Sequence, residues 1–274
     1  MDVGVIGVGA IARALVEGLS AGVADPPRVL LSPRGARVSA ELAARFANVT
    51  VGSSNADVVA RTGTVVLAVR PGDVDTALRG LAFSPDQTVV SVVAALRVAE
   101  LARLVAPATR VVRSVPLLAV ARRAGTVPVF PADEVAERLF ERVGEVVVAP
   151  TEAAFEAYSA VTAVVAAHLD HLAAVSGWLG AQGVPPADAQ QFVADMFRDL
   201  SVGLGSVDLA EAAGHHATAG GLNEQVRRAL DAGGAHDLTR RALDDVLTRV
   251  RGGTPQAGDH LGSRVGGGSP APGD

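Results

Sequence analysis

The stretch that decides the fold is the chain's opening, Met1-Asp-Val-Gly-Val-Ile-Gly7-Val-Gly9-Ala-Ile-Ala12. Residues 3–6 are an apolar run, Gly7-x-Gly9-x-x-Ala12 follows, and residues 12–19 carry the spacing of an amphipathic helix. Strand, tight turn and helix in this order are what a dinucleotide-binding βαβ unit requires. Gly7 lets the chain turn sharply, Gly9 lets the backbone approach a pyrophosphate, and Ala12 keeps the helix close to the strand. The free N–H groups of the helix N-terminus are then offered to the phosphates.

Working outward, the first half of the chain alternates β and α patterns. Short apolar or β-branched runs at residues 29–31, 65–69, 89–93, 110–113, 127–130 and 146–148 alternate with helical stretches such as 38–46, 74–81 and 134–143. Apolar strands separated by helices predict a doubly wound, mostly parallel sheet covered on both faces. From about Pro150 the β signal ends. Phe155, Tyr158, Val161, Val165, Leu169, Leu172, Val175 and Leu179 recur at helical steps and predict one long helix over residues 151–180. It is apolar on more than one face, which predicts burial against a second copy of the chain. Further helices are expected at 185–204, 209–216, 224–230 and 238–250. The organisation predicted is therefore an α/β Rossmann domain over residues 1–150, an all-α dimerisation and substrate domain over 151–251, and a disordered Gly/Pro/Ser-rich tail over 252–274.

Bulk composition narrows the partners. A net charge of -5 without a basic stripe disfavours nucleic acid. There is no cysteine, so disulfide and thiolate chemistry are excluded. No uninterrupted apolar run of about 18 residues appears and the chain opens on a strand, which predicts a cytoplasmic protein with no membrane partner. His168 and His171 share a helical face, but no further ligand stands at a telling spacing, so no metal is expected.

The end of the second strand selects the dinucleotide. Sites for NAD place an Asp or Glu there, on the ribose 2′-hydroxyl. This chain has Leu31-Ser32-Pro33-Arg34-Gly35, a hydroxyl and a guanidinium suited to a 2′-phosphate, which predicts NADP(H). Two more strand ends, Ala68-Val69-Arg70-Pro71 and Ser91-Val92-Val93-Ala94-Ala95, point to the same crevice. Asn55 stands before a helical stretch, either as its cap or as a cofactor contact.

The opening Gly7-Val-Gly9-Ala-Ile-Ala12, the Ser32-Pro-Arg34 loop, Asn55, the Ala68-Val-Arg-Pro71 turn and the Arg113-Ser-Val-Pro116 segment occur in the order and spacing of pyrroline-5-carboxylate reductases. Near the end, Thr218-Ala219-Gly220-Gly221-Leu222-Asn223 resembles that family's Ser-Pro-Gly-Gly-x-Thr loop. The resemblance implies a Rossmann domain followed by helices that intertwine with a partner subunit, the active site lying between cofactor and helices. It implies hydride transfer from NAD(P)H to the C=N carbon of a cyclic imine. Gly7, Gly9, Ala10 and Ile11 would cradle the pyrophosphate, and Ser32 and Arg34 the 2′-phosphate. Val69, Arg70 and Pro71 would lie near the nicotinamide ribose, with Thr218, Gly220, Gly221, Leu222 and Asn223 forming the substrate loop. A Gly-Gly turn entering a helix also exposes several backbone N–H groups, a nest suited to a substrate carboxylate.

The departures cluster at the substrate end. The family's Met-Pro-Asn is Val115-Pro116-Leu117 here, which removes a polar side chain. Its Ser-Gly-x-Gly-Pro-Ala-Tyr helix break aligns with Thr162-Ala-Val-Val-Ala-Ala-His168, helix formers that predict an unbroken helix. The family's threonine at the substrate imine is replaced by Asn223, an amide that orients a substrate but is no acid. A substrate entering as an iminium needs no strong acid; otherwise His168 or water supplies the proton. His215-His216, just before the loop, is a second candidate source. The leading expectation is an NADPH-dependent reductase of a small imine, cyclic and carboxylate-bearing. Alternatives are a non-catalytic NADP(H) sensor and reduction of a carbonyl, the latter disfavoured because the chain has no lysine.

Overall fold

The computed structural model describes residues 1–253, so the predicted tail lies, from residue 254 on, outside the described residues. The chain divides into two compact units, Met1–His168 and the residues from Leu169 on.

The first unit contains β1 (Asp2–Ile6), α1 (Ala10–Ser20), β2 (Arg28–Leu31), α2 (Ala36–Arg45), β3 (Val49–Val51), α3 (Asn55–Arg61), β4 (Thr64–Leu67), α4 (Val74–Leu78), β5 (Thr88–Ser91), α5 (Val98–Leu104), β6 (Arg110–Ser114), β7 (Thr126–Phe130), α6 (Glu134–Phe140), β8 (Glu145–Val148) and α7 (Glu152–Val161). The strands form one sheet in the order β3-β2-β1-β4-β5-β6-β7-β8. Every pair is parallel except β6–β7, where Arg113 faces Phe130 and Ser114 faces Val129 in antiparallel register.

Alternate residues of the central strands feed two cores. Val3, Val5, Val66, Val90 and Val112 pack with α1, α2 and α6 on one face. Val65, Leu67, Val89 and Val111 pack with α3, α4 and α5 on the other. This double burial is why the strands are apolar throughout instead of alternating. The strand β3 was missing from the expected set. It is a short edge strand with only Val49 of its residues buried, too brief for a pattern to register.

Beyond α7 the chain is helical: α8 (Val164–Ala181), α9 (Pro186–Val202), α10 (Leu209–His216), α11 (Leu222–Ala232) and α12 (Ala235–Val250). The expected unbroken helix over 151–180 is in fact two, α7 and α8, parted at Thr162 and Ala163. The Thr162 hydroxyl donates to the Ser159 carbonyl at 2.8 Å and Ala163 N–H to the Ala160 carbonyl at 3.1 Å, which tightens the turn and ends the α-helical ladder. By length and composition alone the 152–181 stretch is apolar enough to cross a membrane. Its first part is tied to the sheet unit instead. Glu152 Oε1 accepts from Arg113 at 2.9 Å, and Glu156, 2% exposed, accepts from Arg97 at 3.1 Å.

Candidate functional site

In an open α/β sheet the ligand crevice lies beyond the carboxyl ends of the strands where the order reverses, here between β1 and β4. The Gly7–Gly9 turn leaves β1 at that point and leads directly into α1. Gly7 has φ +89°, and a Cβ there would come within 2.6 Å of Val69 Cγ1 and 2.7 Å of the Ala68 carbonyl oxygen. The exit of β4 thus backs onto the glycine turn, which explains why Gly7, Ala68 and Val69 meet. Gly9 differs: a Cβ there would meet nothing within 4 Å. It is the N-cap of α1 and offers no side-chain cap. The first-turn N–H groups at Ala10, Ile11 and Ala12 are accordingly available to an anion, and Gly9 and Ala10 are exposed. The open space over Gly9, beside these donors, suits an anionic group.

At the exit of β2 the structure redistributes the predicted roles. Ser32 is fully buried, its hydroxyl accepting the Gly7 N–H at 3.1 Å and its carbonyl accepting from Ser39 Oγ at 3.0 Å. It is therefore a brace for the glycine turn, and the expectation that it touches a 2′-phosphate is corrected: a side chain with no exposed surface is not a ligand. Arg34, with its side chain 57% exposed, is the cation left at this corner, and its guanidinium lies 3.2 Å from the Asp73 carboxylate. Asn55 is likewise not a cap. Ser54 caps α3 by accepting from Asp57 N–H at 3.1 Å, while the Asn55 amide donates to the Ala77 carbonyl at 3.0 Å.

Pro71 and Ala94 come together, as expected from the two strand ends. They line a cavity of about 200 Å³ that also includes Ala95, Asp75 and Glu100. Ala95 sits at φ +59°, a left-handed conformation that costs a non-glycine residue about 1–3 kcal/mol and is concentrated at functional turns. Asp75 and Glu100 were not among the expected site residues; each lies in the first turn of the helix that follows its loop, beyond the strand ends. Arg70 is exposed and its carbonyl accepts from Asp73 N–H at 2.9 Å, holding the 70–73 turn.

A second missed group lies behind this end of the sheet. Arg113, 2% exposed, stacks its guanidinium 4.6 Å over the Phe155 ring and donates to Glu152, whose carboxylate also accepts the Val98 N–H at 2.9 Å and so caps α5. Burial pulls the Arg113 guanidinium below its ordinary value, against the pull of Glu152. Its Nε and the Ser114 hydroxyl have no hydrogen-bond partner among the described residues. The signal was present in the sequence: an arginine inside an apolar strand, and two glutamates four apart on an apolar helix.

The predicted substrate loop lies in the second unit. Gly221 N–H donates to the Thr218 carbonyl at 2.8 Å, and α11 begins at Leu222, which is 83% exposed. Asn223 Nδ2 donates to the His216 carbonyl at 2.9 Å, closing the loop onto the preceding helix and leaving its Oδ1 as an acceptor. The nest is not vacant. Glu224 Oε2 accepts the Gly220 N–H at 2.6 Å and Arg228 holds the other oxygen at 2.7 Å, so the carboxylate in this loop is the protein's own. His215 and His216 line a cavity of about 220 Å³ with Leu200, Leu204, Val207 and Glu211. His171 stacks edge-on to Phe197 at 6.4 Å, a packing role. His168 is exposed and closes the first unit, while Asn223 belongs to the second.

The family described as NADP oxidoreductase coenzyme F420-dependent matches residues 2–95. The pyrroline-5-carboxylate reductase of Pseudomonas aeruginosa is 31% identical over 142 residues, which make up 51% of this chain and 52% of that protein, so the chain matches about half the length of this curated relative. The solved 1-pyrroline-5-carboxylate reductase of Streptococcus pyogenes matches with a TM-score of 0.79 at 19% identity, covering 92% of this chain and 98% of that one. The chain is thus similar in sequence to one pyrroline-5-carboxylate reductase over about half its length, and in fold to the solved one. A further reductase of this kind, from Plasmodium falciparum and solved with NADP bound, matches with a TM-score of 0.76 at 12% identity, covering 92% of this chain and 97% of that one. The solved structures share the Rossmann-like sheet followed by helices.

Proposed function

We propose that the chain is an NADPH-dependent oxidoreductase that reduces the C=N bond of a small cyclic imine. The observation that carries this reading is the glycine turn, whose Gly9 is kept free of a side chain by no packing demand of the protein itself. Gly9, Ala10 and Ile11 would hold the pyrophosphate through backbone N–H groups, with Gly7 setting the turn. Arg34 would take the 2′-phosphate, in place of the carboxylate that an NAD site carries at this strand end. Ala68, Val69, Arg70, Pro71 and Ala94 would border the nicotinamide ribose. The Plasmodium relative, solved with NADP, supports that cofactor.

Bound NADPH would supply a hydride to the imine carbon, the nitrogen of the iminium keeping its proton as that of the amine. The chain's own work is orientation, since an iminium is already electrophilic. Asn223 Oδ1, free of the bond its amide makes to His216, would accept the iminium N–H, and Thr218, Gly220, Gly221 and Leu222 would shape the rim. His168 would serve only a substrate arriving unprotonated. No metal enters the scheme. The partner is a second copy or more, covering apolar side chains of α8 and α9 such as Trp178, 65% exposed, and Phe192, 63% exposed. The cytoplasm is the expected location.

The test is NADPH consumption against a panel of cyclic imines and keto acids. Turnover of an imine supports the reading. Tight NADPH binding with no imine turned over would favour a sensor.

A further inference from the structure

Arg34 is already engaged. Its Nη2 lies 3.2 Å from Asp73 Oδ1, and the two side chains are 57% and 40% exposed. Arg34 follows β2 and Asp73 follows β4, and in the sheet these strands flank β1 on either side. Neighbouring strands stand about 4.8 Å apart, so the bond reaches across roughly 10 Å, over the end of β1 and its glycine turn. It is the one ion pair among the described residues that joins the loops on the two sides of this crevice. The Asp73 side chain makes no other hydrogen bond among the described residues: it precedes α4 but makes no side-chain cap bond.

We propose that Asp73 is a specificity-determining residue, an internal stand-in for the 2′-phosphate that occupies Arg34 until NADP(H) replaces it. The inference rests on the nucleotide site read above. A phosphate monoester carries about −1.5 to −2 charges at neutral pH against one for a carboxylate, so it displaces Asp73 from the guanidinium. It is then left beside the displaced carboxylate, and that like-charge contact weakens NADPH binding. A dinucleotide without the phosphate has nothing to exchange for Asp73, and its ribose 2′-hydroxyl meets a carboxylate of the kind NAD sites use, delivered here from β4 instead of β2. Asp73 therefore narrows the gap between the two dinucleotides, where Arg34 alone would widen it. The other charges of these loops are mixed, Arg37 and Arg70 being cations and Asp75 and Glu100, in the neighbouring cavity, anions, and all of them are unchanged among the variants compared.

The experiment is fluorescence titration of the full chain and of Asp73→Asn, Arg34→Ala and the double variant with NADPH and with NADH. Melting temperatures confirm folding, and both residues are exposed enough for the substitutions to be tolerated. Asp73→Asn is expected to bind NADPH roughly two- to fivefold more tightly, the range an exposed ion pair spans, with NADH unchanged or weaker. In the Arg34→Ala background the gain should shrink, because the guanidinium over which the two anions compete is gone. If Arg34→Ala weakens NADPH selectively but Asp73→Asn leaves NADPH unchanged or weaker, Asp73 merely orients Arg34 and the inference fails alone. If Arg34→Ala affects both dinucleotides equally, the nucleotide reading fails and takes the inference with it.

Discussion

The two glycines of the opening turn look equivalent in sequence, and the structure predicts opposite consequences for replacing them with alanine. At Gly9 the backbone sits at φ -95° and ψ -162°, which alanine adopts without strain, and the added methyl meets nothing within 4 Å. Alanine is a poorer N-cap than glycine, but it also loses less chain entropy on folding, so the net change is within about 1 kcal/mol. At Gly7 the backbone is at φ +89°, costing alanine about 1–3 kcal/mol, and the methyl drives into Val69 and the Ala68 backbone at 2.6–2.9 Å. A loss of about 3 kcal/mol corresponds to a fall in melting temperature of roughly 6–12 °C. Ligand affinity should invert the order of interest. A methyl on Gly9 fills the space assigned to the pyrophosphate and disrupts charge-assisted bonds worth about 1.5–3 kcal/mol each, so NADPH affinity should fall about 10- to 100-fold. Differential scanning fluorimetry and NADPH titration on the same samples check both halves. A Gly9→Ala protein that melts normally and binds NADPH within twofold of the parent would refute the placement of the cofactor.

Other expectations follow from the remaining contacts. Glu152→Ala strands the buried Arg113 and uncaps α5; removing one partner of a buried pair costs about 3–5 kcal/mol, and thermal unfolding should show it, whereas Arg113→Met should be tolerated far better. Glu224→Gln weakens the internal occupant of the Gly220 N–H, so kcat/KM for 1-pyrroline-5-carboxylate should rise relative to 1-pyrroline; a fall for both alike would make Glu224 a structural cap only. Light scattering should give a mass of at least two chains, and a single-chain mass would leave the apolar faces of α8 and α9 without their proposed cover.

The parallel sheet and the glycine turn were legible because both rest on local rules: apolar runs buried on both faces, and a turn that only glycine satisfies. What the sequence hid were choices between partners. Ser32 reads equally well as a ligand or a brace, and only the approach of the Gly7 N–H decides it. Asn55 and Ser54 are both good caps, and the one a residue earlier has the geometry. Apolar periodicity carried the predicted helix straight through Thr162, since it gives no weight to a hydroxyl that bonds backward. The Gly-Gly donors were visible, while the side-chain acceptor of the Gly220 N–H, Glu224, stands four residues on in a helix whose start was placed too late. The Arg34 and Asp73 pair joins residues 39 positions apart and had no local signature at all.

Hydride transfer from a nicotinamide to the carbon of a C=N bond leaves its mark on the product, and isotope labelling follows that hydrogen. The protein is incubated with NADPH deuterated at nicotinamide C4 and with 1-pyrroline or its 5-carboxylate, and the cyclic amine is analysed by mass spectrometry and NMR. One deuterium is expected on the former imine carbon, with NADPH consumed in equal amount. Bound NADPH that persists unchanged beside unreduced imine would contradict it.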